Sequence, residues 1–173
     1  ENATQADLIV NKIINYEKNP PTSSAFYNKV LDFAYFQDNG TDGKEDMNFT
    51  QSAEDIRNNL ISKGYSVDRY YVHDNNSTCP KKGYTGITLP NELLDCSDVW
   101  NRNISESVSA INNGRVFAYY RGHGSKTALH SVGFTNTQVQ SLNNGNKLPI
   151  FFNFTCQTGK FWDGNRTSPC LTE

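Results

Sequence analysis

Two stretches of this chain end in a residue able to do acyl-transfer chemistry. Arg115-Val116-Phe117-Ala118-Tyr119-Tyr120 runs into Arg121-Gly122-His123-Gly124-Ser125, and Leu148-Pro149-Ile150-Phe151-Phe152-Asn153-Phe154 runs into Thr155-Cys156-Gln157-Thr158-Gly159. Each apolar run has the composition of a buried strand, so His123 and Cys156 sit just past two strand ends. If the strands are parallel neighbours, their carboxyl ends share one edge of a sheet, where open α/β folds build their sites. Residues far apart in sequence then meet. An imidazole takes the thiol proton and the thiolate attacks a carbonyl, which is the chemistry of a cysteine peptidase dyad. The glycines on either side of His123 let the chain turn sharply and let a substrate approach the backbone. A cysteine after an aromatic strand is otherwise an inert small hydrophobe, which is the reading for Cys170, and a lone histidine a turn residue bonded to a carbonyl. His73 reads as a surface or strand-end residue, His130 as a residue on the rim of the cleft, and Trp100 and Trp162 as packing.

The rest of the chain supplies the elements that must hold these residues. Ala6, Ile9, Val10, Ile13 and Ile14 recur at helical spacing until Asn19-Pro20-Pro21 stops the pattern. Lys29 to Phe36 reads as a strand, followed by the polar loop Gln37-Asp38-Asn39-Gly40-Thr41-Asp42-Gly43. A helix capped near Thr50 or Ser52 follows, with Glu54 and Asp55 favourable in its first turn, Ile56, Leu60 and Ile61 on its apolar face, and Lys63-Gly64 at its end. Tyr65 to Val72 is the second strand. Ile104, Val108 and Ile111 mark a short helix ending at Asn113-Gly114, and the third strand leads to His123. Thr135 can cap a helix carrying Val139 and Leu142 before the fourth strand leads to Cys156. This alternation predicts an α/β fold with a mostly parallel sheet, right-handed crossovers and helices on both faces.

Composition excludes several classes. The 173 residues fit one domain, with 36% hydrophobic and 12% aromatic residues to build its core. Lys+Arg 16 nearly balances Asp+Glu 18 and no basic run occurs, so nucleic acid is not an expected partner. The mean hydropathy is -0.66, and no apolar stretch approaches the roughly 20 residues that span a bilayer. Glu1-Asn2-Ala3-Thr4-Gln5 lacks a signal-peptide layout. Ser168-Pro169-Cys170-Leu171-Thr172-Glu173 reads as the first turn of a helix, so the protein is expected to continue beyond Glu173.

The remaining motifs concern stability. Cys79 and Cys96 bracket a segment dense in turn formers that a disulfide would close, and such a bridge would point to an oxidising compartment. Structural zinc is disfavoured, because no cysteines are closely paired and His73 is the only histidine near Cys79. Sequons at Asn2, Asn39, Asn48, Asn75, Asn76, Asn103, Asn153 and Asn165 carry little weight in so asparagine-rich a chain. The loop carboxylates Asp38, Asp42 and Asp46 would suit a structural calcium ion, while the acyl-transfer chemistry itself requires no cofactor.

The segments Tyr120 to Ala128 and Leu148 to Phe161 resemble the histidine and cysteine motifs of the gingipain family of cysteine peptidases, family C25. The likeness extends to Ile13-Ile14-Asn15-Tyr16-Glu17, the strand from Val30 to Phe36, Lys63-Gly64-Tyr65 and Pro169-Cys170, with Asn75 to Trp100 as the main departure. It implies a three-layer α/β/α caspase-like fold, with residues 1–173 forming a single catalytic domain truncated at its C-terminal end and further core strands and helices beyond 173. It also implies endopeptidase activity on protein or peptide substrates, and a secreted or cell-surface protein. By the same resemblance Cys156 is the nucleophile, His123 the general base and acid, and the backbone N–H groups of Gly124 and Cys156 the oxyanion hole. An acidic residue near the end of the first strand would orient His123. Asp38 is the residue expected there, although the family's acid aligns with Gln37-Asp38. An acidic residue of the following loop, Asp46, would recognise a basic side chain before the scissile bond. Two other functions use the same fold: a sortase-like transpeptidase, in which an amine attacks the thioester, and a binding module that has lost catalysis.

Overall fold

The computed structural model describes residues 3–74 and 78–160, and Gln5 by its backbone alone. The chain opens with α1 (Ala3–Lys18) and a single turn, α2 (Ser24–Tyr27), and enters β1 (Lys29–Phe36). It continues through α3 (Thr50–Ser62), β2 (Ser66–His73), α4 (Ile104–Asn112) and β3 (Phe117–Arg121). Three short strands follow, β4 (Gly124–Ser125), β5 (Ala128–Leu129) and β6 (Phe134–Thr135), then α5 (Asn136–Gln140) and β7 (Ile150–Phe154). The four long strands form one parallel sheet in the order β2-β1-β3-β7, and β4, β5 and β6 form a small antiparallel sheet.

Alternation along β1 sorts the core into two layers. Val30, Ala34 and Phe36 face α3, where they meet Ala53, Val67, Tyr71 and Tyr119. Leu31 and Phe33 face the other way, toward Ala118, Tyr120, Ile111 of α4 and the small sheet's Leu129 and Phe134. Helical or hairpin cover thus lies on both faces of the sheet, as the alternation of elements predicts. Asp32 is fully buried on the α3 side. Its Oδ2 accepts from the Tyr71 hydroxyl, its Oδ1 has no partner, and burial pushes its pKa up to about 7.

Helix ends follow local chemistry. The buried carboxylate of Glu45 accepts from the N–H groups of Phe49, Thr50 and Gln51 at the start of α3. Gly64, at φ 89°, ends the helix in a conformation that a side chain would strain. Thr135 and Gln138 form a capping box on α5. The helical reading of the first segment holds for its periodicity but not for its burial: Leu8, Ile9, Val10, Ile13 and Ile14 of α1 are exposed, while Tyr16 packs on the α3-side core. Strand β7 lies at the edge of the sheet, with Ile150, Phe152 and Phe154 exposed. Among the described residues no helix is long and apolar enough to cross a membrane.

Cys79 and Cys96 are joined in a disulfide with Cα atoms 5.0 Å apart. The loop it closes ends beside Trp100, which is buried against Phe36 and Tyr71 and donates from Nε1 to the Leu93 carbonyl. Replacing both cysteines by alanine is expected to remove about 3 kcal/mol, the loop-closure entropy for a bridge of this span. Urea unfolding under oxidising conditions reads this, and an unchanged midpoint would mean that the loop is closed by its other contacts. Trp162, Cys170, the turn read at 168–173 and the sequons at Asn2, Asn75, Asn76 and Asn165 lie outside the described residues.

Candidate functional site

Strands β3 and β7 are neighbours in register, and Arg121 opposite Phe154 is the last pair. His123 and Cys156 lie two residues beyond that pair, each in the loop that leaves its strand. The loops that carry them are tied together one residue earlier, where Thr155 Oγ1 donates to the Gly122 carbonyl at 2.8 Å. Strand β1 joins the same edge: Ala34 pairs with Arg121, and Gln37 directly follows the end of β1.

Glycine is demanded at both positions flanking the histidine. A Cβ on Gly124 would lie 2.5 Å from Thr155 Oγ1 and 2.8 Å from the Cys156 carbonyl oxygen, so the histidine loop presses directly on the cysteine loop. A Cβ on Gly122 would run into the Tyr120 ring, 2.6 Å from its Cζ. Cys156 is a free, exposed thiol, and Gln157 after it takes a left-handed φ of 60°, a strained turn for a residue with a side chain. Among the described residues no hydrogen bond joins Cys156 to His123.

The imidazole of His123 is exposed but held on three sides. Its Nε2 lies 2.7 Å from Gln37 Oε1, the edge of Phe49 meets it at 5.3 Å, and Tyr35 flanks it at 5.9 Å. Its backbone is anchored by Tyr120 Oη donating to its carbonyl at 2.6 Å and by His130 N donating to the same oxygen at 2.9 Å. Arg121 braces the surroundings. It bonds Ser52 Oγ and the Asn48 carbonyl at 3.1 Å, reaches the Phe154 carbonyl at 3.4 Å and lies over the Phe49 ring. The start of α3 is thereby fastened to β3 and β7.

Asp38, the residue expected to orient the imidazole, is buried and directed elsewhere. Its carboxylate accepts from the N–H groups of Asp42 at 3.1 Å and Gly43 at 2.8 Å, closing the loop after β1. Its neighbour Gln37 makes the contact instead. Asp42 Oδ1 accepts from Lys44 N and Asp46 Oδ2 from Asn39 N, both short local bonds. The three carboxylates expected to suit a calcium ion each accept from loop N–H groups, and among the described residues no group of three or more His, Cys, Asp and Glu side chains is placed to hold a metal. Asp46 is exposed on this loop and donates its own N–H to the Gln37 carbonyl at 2.8 Å.

A cleft of about 680 Å³ opens beside His123, lined among others by Tyr35, His73, Asp74, Asn101 and His130. All three histidines of the chain border it. The Tyr35 hydroxyl donates to Asp74 Oδ1 at 2.5 Å, and Asp74 Oδ2 accepts from Asp38 N at 3.3 Å. Burial, and the carboxylate beside it, push the Tyr35 phenol well above its ordinary range, so it remains a donor. Sequence reasoning aligned the orienting position with Gln37-Asp38 but chose Asp38, and it missed Thr155, Arg121 and Asp74. Glutamine, threonine and aspartate carry no catalytic pattern on their own, though the position of Gln37 at the end of β1 was a usable signal.

A family model for peptidase family C25 matches residues 1–173. Gingipain R2 of Porphyromonas gingivalis is 37% identical over 93 residues, which are 53% of this chain and 11% of that protein. Gingipain R1 of the same organism is 36% identical over 93 residues, 53% of this chain and 8% of its own length. The crystal structure of the Arg-specific cysteine proteinase gingipain R superposes with a TM-score of 0.62 at 25% identity, covering 94% of this chain and 31% of that one. The chain thus spans about a tenth of the curated relatives it matches and about a third of the solved neighbour, and it has the caspase-like α/β architecture of that neighbour.

Proposed function

Because this chain belongs to peptidase family C25, we propose that it carries the nucleophile and base of a cysteine endopeptidase. The observation that carries this reading is the tie between Thr155 Oγ1 and the Gly122 carbonyl, which holds the His123 and Cys156 loops side by side at the ends of paired strands. In the reaction, His123 takes the proton from Cys156 Sγ and the thiolate attacks the substrate carbonyl carbon. The N–H groups of Gly124 and Cys156 receive the developing oxyanion, each donor being worth about 3 to 4 kcal/mol of transition-state stabilisation. The tetrahedral adduct collapses as His123 returns its proton to the leaving amine, leaving a thioester on Cys156. Water, deprotonated by His123, then releases the acid.

Cleavage after a basic residue is supported by the Arg-specific name of the solved neighbour and by Asp46, an exposed carboxylate on the loop that leaves the same sheet edge. Export from the cell is supported by the gingipain likeness, and the Cys79–Cys96 disulfide supports an oxidising compartment. A binding module without catalysis is the second reading. It is favoured by the uncharged Gln37 on the imidazole, where the family likeness leads one to expect an acid.

The test is hydrolysis, by the full-length protein, of fluorogenic peptides that differ only in the residue before the scissile bond. Cleavage after Arg that Asp46→Asn weakens mainly through KM supports both the peptidase and its acidic recognition group. Turnover with no basic preference removes Asp46 from the reading, and turnover that requires an added amine assigns the transpeptidase. No turnover together with no labelling by an acyloxymethyl ketone assigns the binding module.

A further inference from the structure

We infer that Gln37 is a positioning residue that fixes the tautomer of His123 and leaves the dyad without an anionic third member, an inference that rests on the peptidase reading above. The carbonyl oxygen of a glutamine can only accept, so a 2.7 Å contact from Gln37 Oε1 requires a proton on His123 Nε2. In the neutral ring the lone pair then resides on Nδ1, and Nδ1 is the atom that accepts the thiol proton: the S–H bond of Cys156 breaks as the Nδ1–H bond forms.

The carbonyl is held for this task before substrate arrives. Gln37 follows directly on the buried end of β1, and its backbone carbonyl accepts from Asp46 N at 2.8 Å across the loop. The next residue is fixed twice over, its N–H to Asp74 Oδ2 and its carboxylate to Asp42 N and Gly43 N. Phe49 and Tyr35 confine the ring plane. The loop around Asp38 therefore acts through Gln37.

Charge is the second consequence. The groups around His123 are Tyr35 on β1, which stays protonated, and His73, Asp74, Arg102 and His130 around the cleft, with Cys156 on β7's loop and Arg121 behind Phe49. Asp74 is engaged by Tyr35 and Asp38, and Arg102 by Glu106. A carbonyl dipole in place of a carboxylate orients the imidazole but stabilises the imidazolium less.

The experiment compares wild type, Gln37→Glu and Gln37→Ala in the full-length protein, using the pH profile of kcat/KM on a fluorogenic peptide together with the ring 15N resonances of His123. Gln37→Glu, nearly isosteric, is expected to move the alkaline limb upward by about one pH unit or more, as an opposite charge within hydrogen-bond distance does. Gln37→Ala is expected to lower kcat by about tenfold or more with KM little changed and to abolish the preference for the proton on Nε2. Both limbs unmoved, or a neutral wild-type ring protonated on Nδ1, overturns the role of Gln37 while leaving the peptidase standing. Turnover that persists undiminished in His123→Ala, assayed beside them, overturns the dyad and this inference together.

Discussion

His123→Ala in the full-length protein is expected to lower kcat/KM by about three orders of magnitude while leaving the unfolding midpoint nearly unchanged. The imidazole is exposed, meets Gln37, Phe49 and Tyr35 through its ring and belongs to neither core layer, so its loss opens no cavity there. Its backbone anchors to Tyr120 and His130 survive the substitution. What disappears is proton transfer in both half-reactions, and a positioned general acid–base contributes about 10²- to 10⁴-fold. Cys156→Ser should be at least as damaging, because a hydroxyl without a strong base is a far poorer nucleophile than a thiolate. Alkylation of Cys156 near neutral pH separates the explanations: it should slow markedly in His123→Ala, since only the thiolate reacts. Fast alkylation with no loss of turnover in His123→Ala would remove the histidine from the mechanism.

What the sequence made legible was whatever depends on short-range pattern. The span of β1 follows from its apolar run and the common edge at which β3 and β7 end follows from the alternation of elements, whereas α3 departs from its expected pattern: its N-cap residue, Phe49, makes no side-chain cap bond, and Ile56 and Ile61 of its expected apolar face are exposed. Roles that depend on partners far along the chain were not legible. Glu45 follows the polar loop after β1 with no pattern to mark it, yet it is buried as the acceptor for three N–H groups at the start of α3. Asp38 and Gln37 are adjacent and both polar; only the three-dimensional path of the loop decides that the carboxylate closes a turn and the amide meets the imidazole. The apolar stripe of α1 is plain in the sequence, whereas what it packs on is not a property of the helix.

Glu54 carries the same lesson into stability. The sequence reading puts it in the first turn of α3 with a modest interaction with the helix dipole, but the helix begins at Thr50, and the carboxylate is buried one turn in, where it takes Arg69 Nε and Nη2 at 2.7 Å each and the Tyr71 hydroxyl at 2.8 Å. The pair joins α3 to β2 beside buried Asp32. Glu54→Ala is expected to destabilise the fold by about 3 to 5 kcal/mol, because it strands a guanidinium that is itself buried. If the cost is that of the orphaned charge, the double variant Glu54→Leu with Arg69→Met should recover much of it, since apolar replacement of a whole buried pair is often neutral. Urea unfolding should be run at one pH for all variants: the Asp32 carboxyl is raised to about 7, so its contribution is full below the unfolded carboxyl range and fades as pH rises through about 7. Equal losses in the single and double variants would show that the three hydrogen bonds themselves, rather than the unpaired charge, hold α3 on the sheet. In either case activity should fall with stability, because the start of α3 presents Phe49 to the imidazole and Arg121 fastens that same turn to the strands bearing His123 and Cys156.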